Sequence, residues 1–156
     1  MVNVKRNIDE KDIHRRYYQE ICEKLKHDPY ASYLGIKLVE VGEGTAVAEM
    51  EVKPHMLNAH GTTHGAILFA LADFVFAVAC NSYGKTSVAL SVNINFLAAS
   101  IEGASLRATA VEENRTHRTG LYRIQVEGDG KTLALLDALA YRKSDYFIDV
   151  NLNPQE

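Results

Sequence analysis

The chain reads as an α+β protein in which one antiparallel sheet wraps around one long helix. Three observations carry that reading. Residues 66–80 are apolar at every position except Asp73. Stretches with apolar side chains at every second position flank that run, two before it and four after it. Turns such as Gly42-Glu43-Gly44 and Gly128-Asp129-Gly130 are too short for a crossover, so the strands they join pair antiparallel.

Taken in order, residues 9–27 place Ile13, Tyr17, Ile21 and Leu25 at every fourth position, which predicts an amphipathic helix with a charged outer face. Pro29 ends it, and residues 30–34 form a short helical turn. From Gly35 the period changes to two. Residues 36–41 and 45–52 make a hairpin, with Ala46, Ala48, Met50 and Val52 on one face and Thr45, Glu49 and Glu51 on the other. Pro54 stops the second strand. After the central helix, Tyr83-Gly84-Lys85 is a break. Val88, Leu90, Val92, Ile94 and Phe96 then alternate with Ala89, Ser91, Asn93 and Asn95. Strands follow around Leu106, Ala108 and Ala110, and around Tyr122, Ile124 and Val126. The last, at 133–141, is apolar on both faces apart from Asp137, as a central or interface strand would be. A polar, loose tail is expected from Ser144. The chain is thus expected to divide into an N-terminal helix (1–30), a sheet-and-helix domain (31–144) and a tail (145–156).

The central helix carries the chemistry. A helix apolar all round is buried by protein or by membrane. This one is shorter than the roughly 20 residues a bilayer span requires, and its Asp would be costly there. It is therefore read as the core helix of the domain. A carboxylate on it must be neutral, paired or in use. Thr62 and Thr63 are candidate N-caps, and Gly61 and Gly65 allow close backbone approach. Free N–H groups at such a helix start suit an oxyanion.

The 156 residues fit one domain, and 47% hydrophobic with 24% charged residues is a globular composition. A net charge of -3 without a basic stripe argues against nucleic-acid binding. Cys22 and Cys80 match no disulfide or metal pattern, and the first residues have no apolar signal segment; a cytoplasmic location is expected. His55, His60 and His64 are close in sequence but have no Cys or acidic companion. They are read as loop histidines, with no metal site.

Asn58-x-x-Gly61-x-x-His64-Gly65, Leu71-Ala72-Asp73, Asn93-Ile94-Asn95-Phe96-Leu97 and Ala79-Cys80-Asn81-Ser82-Tyr83 together resemble hotdog-fold acyl-CoA thioesterases of the phenylacetate-degradation (PaaI-like) type. The resemblance spans about residues 33–143 and implies the hotdog fold. It also implies hydrolysis of aryl-acetyl- or medium-chain acyl-CoA, with coenzyme A as part of the substrate and no cofactor. Asp73 then corresponds to the general base or nucleophile and the Gly65 N–H to the oxyanion donor. His64 holds the loop or polarises the carbonyl, and Asn58 orients water or the carbonyl. Where many relatives have His-Gly-Gly, this chain has His64-Gly65-Ala66. Arg115, Arg118 and Arg123, otherwise the solvated face of a strand pair, become candidates for the coenzyme A phosphates.

Two alternatives stand beside this reading. A non-catalytic acyl-CoA-binding protein on the same fold would tolerate loss of the carboxylate. A hotdog hydratase resembles an Asp followed five positions later by His, where this chain has Val78. Helix geometry adds a statement about assembly. Gly65 and Asp73 are eight residues apart, about 12 Å along one helix. The expected partner is therefore a second copy, as the resemblance also implies: a homodimer with shared active sites, with a tetramer (a dimer of dimers) beyond it. No membrane and no nucleic-acid partner is expected.

Overall fold

The computed structural model describes residues 9–151. Three short helices lead the chain: α1 (Glu10–Arg16), α2 (Tyr18–Lys26) and α3 (Pro29–Leu34). The helix expected over 9–27 is therefore two helices, because Tyr17 leaves helical geometry at φ -111° and ψ 21°. Asp28 caps α3 by accepting from the Ala31 N–H at 2.9 Å; Pro29 occupies the first turn and Gly35, at φ 75°, ends the helix. Helix α3 crosses the expected boundary at residue 30. Residues 1–8 and 152–156 of the expected N-terminal segment and tail lie outside the described residues.

Strands β1 (Lys37–Gly42) and β2 (Thr45–Glu51) precede the long helix α4 (Gly65–Asn81). Strands β3 (Lys85–Phe96), β4 (Ser105–Arg115), β5 (Thr119–Gly128) and β6 (Lys131–Tyr146) follow it. All pairings are antiparallel, and the strand order is β1-β2-β4-β5-β6-β3. The expected two strands, helix and four strands are all present, and the doubly apolar β6 is internal, between β5 and β3.

The sheet's inner face accepts α4 because its strands present small residues there. Ala46 lies opposite Ala110 and Ala48 opposite Ala108, while β6 contributes Ala134, Ala138 and Ala140, all buried. Larger helix residues fill the space they leave: Leu71, Phe74, Val75, Phe76 and Val78 are buried, and the Phe76 ring meets Tyr122 edge-on at 5.6 Å.

Strand β3 departs from strict alternation. Ala89 lies opposite Ala140 and Ser91 opposite Leu139, so Leu90 is an extra residue and forms a bulge. Residues directly opposite across a ladder share a face. Ala89, Val92, Ile94 and Phe96 therefore face inward with Ala140, Ala138, Leu136 and Ala134, whereas Val88 turns outward with Tyr141.

The N-terminal helices are tied to the sheet by a largely buried ionic cluster. The Glu10 carboxylate accepts from Arg142 at 2.6 Å and pairs with Arg115 and, at 3.6 Å, with Lys85; the Arg142 and Lys85 side chains are 3% and 8% exposed. His14 Nδ1 lies 2.6 Å from the Ser82 carbonyl oxygen. Residues 145–151 are held too. The Phe147 N–H donates to the Gly84 carbonyl at 3.1 Å, the Asn151 N–H to the Tyr17 hydroxyl at 2.9 Å, and Ile148 packs on Gly84. That part of the expected loose tail is docked.

Candidate active site

The loop before α4 is built by its own side chains. Asn58 Oδ1 accepts from the N–H groups of His60 (2.9 Å) and Thr62 (3.2 Å), and Asn58 Nδ2 donates to the Thr62 hydroxyl at 2.8 Å. Gly61 sits inside this turn at φ 76°, a region that glycine enters freely. Thr63 is pinned from outside, its hydroxyl 2.6 Å from that of Ser100 and its N–H on the Ser100 carbonyl. Neither threonine caps α4. The cap is His64, whose Nδ1 accepts from the Ala66 N–H at 3.0 Å. An accepting Nδ1 on a neutral ring leaves the proton on Nε2. Asn58 and His64 thus shape the loop that presents the helix start.

The helix start is open. Among the described residues, no protein group accepts from the Gly65 N–H. A Cβ at Gly65 would come within 3.1 Å of the Phe96 ring, so a side chain there would crowd the approach.

Asp73 is not in the core. The face of α4 formed by Ala66, Phe69, Ala70, Asp73 and Ala77 is exposed or half-buried, while the rest of the helix is packed on the sheet. The expectation of a helix buried all round is corrected: a small-residue stripe turns away from the sheet, and only three-dimensional packing distinguishes it from an apolar core face. Among the described residues the Asp73 carboxylate has no hydrogen bond and no ion pair. The surrounding protein, and secondarily the charge of Asp28, raise its pKa above the ordinary aspartate value. Asp73 lies in an open cavity of about 470 Å³ between α3 and α4, lined also by Asp28, Tyr30, Ile36, Phe69 and Phe74. The Asp28–Ile36 wall was not among the residues singled out from the sequence. The Asp-Pro pair announces a helix start there, but nothing in the one-dimensional pattern places that helix over Asp73.

The three arginines do not form one group. Arg115 donates to Glu112 at 3.2 Å, pairs with Glu10 and lies 4.1 Å over the Tyr83 ring. Arg123 donates to Asp137 at 3.1 Å; these two residues are paired across β5 and β6 on the outer face of the sheet. Arg118 is exposed in the β4–β5 turn, where its carbonyl accepts from the Arg142 N–H. Among the described residues no three His, Cys, Asp or Glu side chains lie close enough to hold a metal ion. None of the described helices is long and apolar enough to cross a membrane.

A carboxylate in an apolar groove and an unpartnered N–H at a helix start are the two parts needed for attack on an activated acyl group. Within one chain they stand about 12 Å apart along α4. Comparison with known proteins points the same way. A family model for the thioesterase superfamily matches residues 60–135, which contain Gly65 and Asp73. The chain is similar to the acyl-coenzyme A thioesterase PaaI of Escherichia coli, 42% identical over 126 residues that cover 80% of this chain and 90% of that protein. The solved structure of E. coli PaaI, from the phenylacetic acid degradation operon, superposes with a TM-score of 0.79 at 35% identity, over 88% of this chain and 99% of that one. The TT0310 protein of Thermus thermophilus superposes with a TM-score of 0.73 at 41% identity, over 75% and 99%.

Proposed function

We propose that this chain, which belongs to the thioesterase superfamily and stands among the relatives of PaaI, is an acyl-CoA thioesterase that hydrolyses aryl-acetyl- or medium-chain acyl-CoA to the free acid and coenzyme A. The observation that carries this reading is Asp73: a carboxylate that has no hydrogen-bond or ion-pair partner among the described residues, lying in an apolar cavity on the helix whose first N–H has no acceptor among them. A raised pKa makes a carboxylate a better base. In the reaction, Asp73 either takes the proton from water as that water attacks the thioester carbon, or attacks it directly to form an anhydride that water then opens. The carbonyl oxygen gains negative charge and is met by the Gly65 N–H. The C–S bond breaks, and the coenzyme A thiolate leaves and is protonated. Asn58 and His64 act as positioning residues for the loop, and the His64 Nε2–H is a second group able to polarise the carbonyl. Neither a metal nor a cofactor enters the scheme, and dialysis against a strong chelator should leave the rate unchanged.

The site is completed by a second copy. Two features support a homodimer: the exposed α4 stripe, and β3, a 12-residue edge strand with Leu90 56% exposed. Joining two β3 edges about a two-fold axis sets two α4 helices side by side and antiparallel. With Gly65 of one copy level with Asp73 of the other, the axis passes at Phe69, midway between them. A tetramer would pair two such dimers. Residues 31–144 form the catalytic hotdog domain in this reading, with the N-terminal helices and the tail as additions to it. Arg118 is the arginine left to meet the coenzyme A phosphates, since Arg115 and Arg123 are engaged elsewhere. The protein is taken to be cytoplasmic, where the free thiols of Cys22 and Cys80 persist.

The test is incubation with a panel of acyl-CoAs while free thiol is followed. Thiol release is expected, and Asp73→Asn should lower it at least about a hundredfold with the fold intact. A melting shift without thiol release would instead identify a binding protein, and a changed acyl group without thiol release a hydratase.

A further inference from the structure

The cavity beside Asp73 has two walls of different origin. Ala66, Phe69, Ala70, Phe74 and Ala77 come from α4, inside the stretch that matches the superfamily. Asp28, Tyr30, Ala31 and Ile36 come from α3 and its flanks, outside it. The volume of about 470 Å³ is that of a small-molecule pocket, for which roughly 300–1,000 Å³ is usual. Apart from Asp28, Asp73 and the Tyr30 hydroxyl, the lining side chains are apolar. Coenzyme A carries a diphosphate and a 3′-phosphate, and a wall bearing Asp28 repels them. An acyl chain has no such charge and gains by leaving water.

Resting on the thioesterase reading, we infer that the α3 wall is the acyl-side specificity element of this enzyme. Asp28 excludes acyl groups that end in a carboxylate, and Tyr30 limits the reach of uncharged ones. Asp28 is fixed for this role because one of its oxygens is committed to capping α3 through the Ala31 N–H. Its charge therefore stays at the cavity. Tyr30 is 61% exposed, which puts it at the cavity mouth. A dicarboxylic acyl group would bring a second negative charge into a space already flanked by Asp28 and Asp73. An alkyl or aryl group of the same length would meet Ile36, Phe69 and Phe74.

The experiment compares pentanoyl-CoA with glutaryl-CoA, which share a five-carbon chain but end in a methyl and a carboxylate. Thiol release by the purified full chain is measured for wild type, Asp28→Asn and Tyr30→Ala. Asn is as good an N-cap as Asp, so Asp28→Asn keeps α3 and removes only the charge. Wild type should prefer pentanoyl-CoA. Asp28→Asn should raise the glutaryl-to-pentanoyl ratio of kcat/KM about tenfold, the scale for deleting a like charge several ångströms away in a half-screened site. Tyr30→Ala should raise the decanoyl-to-pentanoyl ratio and leave the glutaryl ratio in place. An unmoved glutaryl ratio in Asp28→Asn would overturn the charge filter; it would also result if Asp28 acted only on the basicity of Asp73, because both substrates would then change together. An unmoved decanoyl ratio in Tyr30→Ala would overturn the size limit. Absence of thiol release from every acyl-CoA tested would instead bring down the hydrolase reading, and this inference with it.

Discussion

A proline at position 65 isolates the proposed oxyanion donor and shows whose carboxylate it serves. Gly65 is the first residue of α4, where proline breaks no helical hydrogen bond and its fixed φ suits the helix. His64, at φ -61° and ψ 135°, already has the extended geometry required before proline. The added ring would face the Phe96 side chain, which is 55% exposed. Gly65→Pro should therefore fold and lose only the N–H, lowering kcat by roughly a hundred- to a thousandfold. Asp73→Ala should lose at least about a hundredfold. When equal amounts are unfolded together and refolded, half the dimers are mixed. If sites are shared, each mixed dimer has one site with both defects and one with neither. The mixture should regain about a quarter of wild-type activity, at least roughly 25-fold above either variant alone. Thiol release measured before and after mixing reads this directly, with differently tagged copies proving that mixed dimers form. Mixed dimers without recovery would refute the shared site.

Three further outcomes follow from particular groups. Crowding by the protein, with the Asp28 charge second, raises the Asp73 pKa, and the proposed reaction needs its deprotonated form. The acid limb of the kcat/KM profile should thus lie above the ordinary aspartate range, and Asp28→Asn should move it down; a limb that stays in place in that variant would exclude Asp28 as a cause. Glu10→Gln should destabilise the fold by about 3 kcal/mol in urea titration, because it takes the anion from buried Arg142 and Lys85 and leaves Arg115 with Glu112 alone. Burial pushes the Glu10 carboxyl up, but the Arg142 hydrogen bond and the charges of Arg142, Arg115 and Lys85 outweigh it and hold the pKa low. Its contribution is complete above the ordinary glutamate range and is lost as the pH falls through the lowered value; a variant within about 0.5 kcal/mol of wild type would contradict this. Arg118→Ala should raise KM for acyl-CoA more than it lowers kcat, most strongly at low salt, with no such effect on a short thioester lacking the nucleotide.

The order of elements was legible because each rests on a local period: two in the strands, and an unbroken apolar run in α4. The loop motif and Asp73 were legible as chemistry because their residue types are costly or special where they stand. What escaped was decided by partners far away in the chain. The Leu90 bulge turns Val88 outward and Ala89 inward while Val92, Ile94 and Phe96 keep their face, and only the ladder with β6 reveals it. Arg115 looked like one of three free cations until Glu10, 105 residues earlier, was placed against it. His64 rather than a threonine caps α4 because Ser100 holds Thr63 aside. The α4 stripe around Asp73 has core composition, and its exposure depends on where the sheet stops wrapping.

The Glu10 cluster also bears on how the protein is made. Glu10 meets Arg142 across a separation of 132 residues, and the Asn151 N–H meets Tyr17 across 134. On a ribosome the N-terminal helices emerge first, yet two of the groups that anchor them, Arg142 and Asn151, are among the last of the described residues to appear. Until β6 is made, α1 has Glu43, Ser82, Lys85 and Arg115 to grip, and its cluster closes when Arg142 arrives. Truncation within β6 ahead of Arg142 would remove the Arg142 and Asn151 contacts that hold Glu10 and Tyr17.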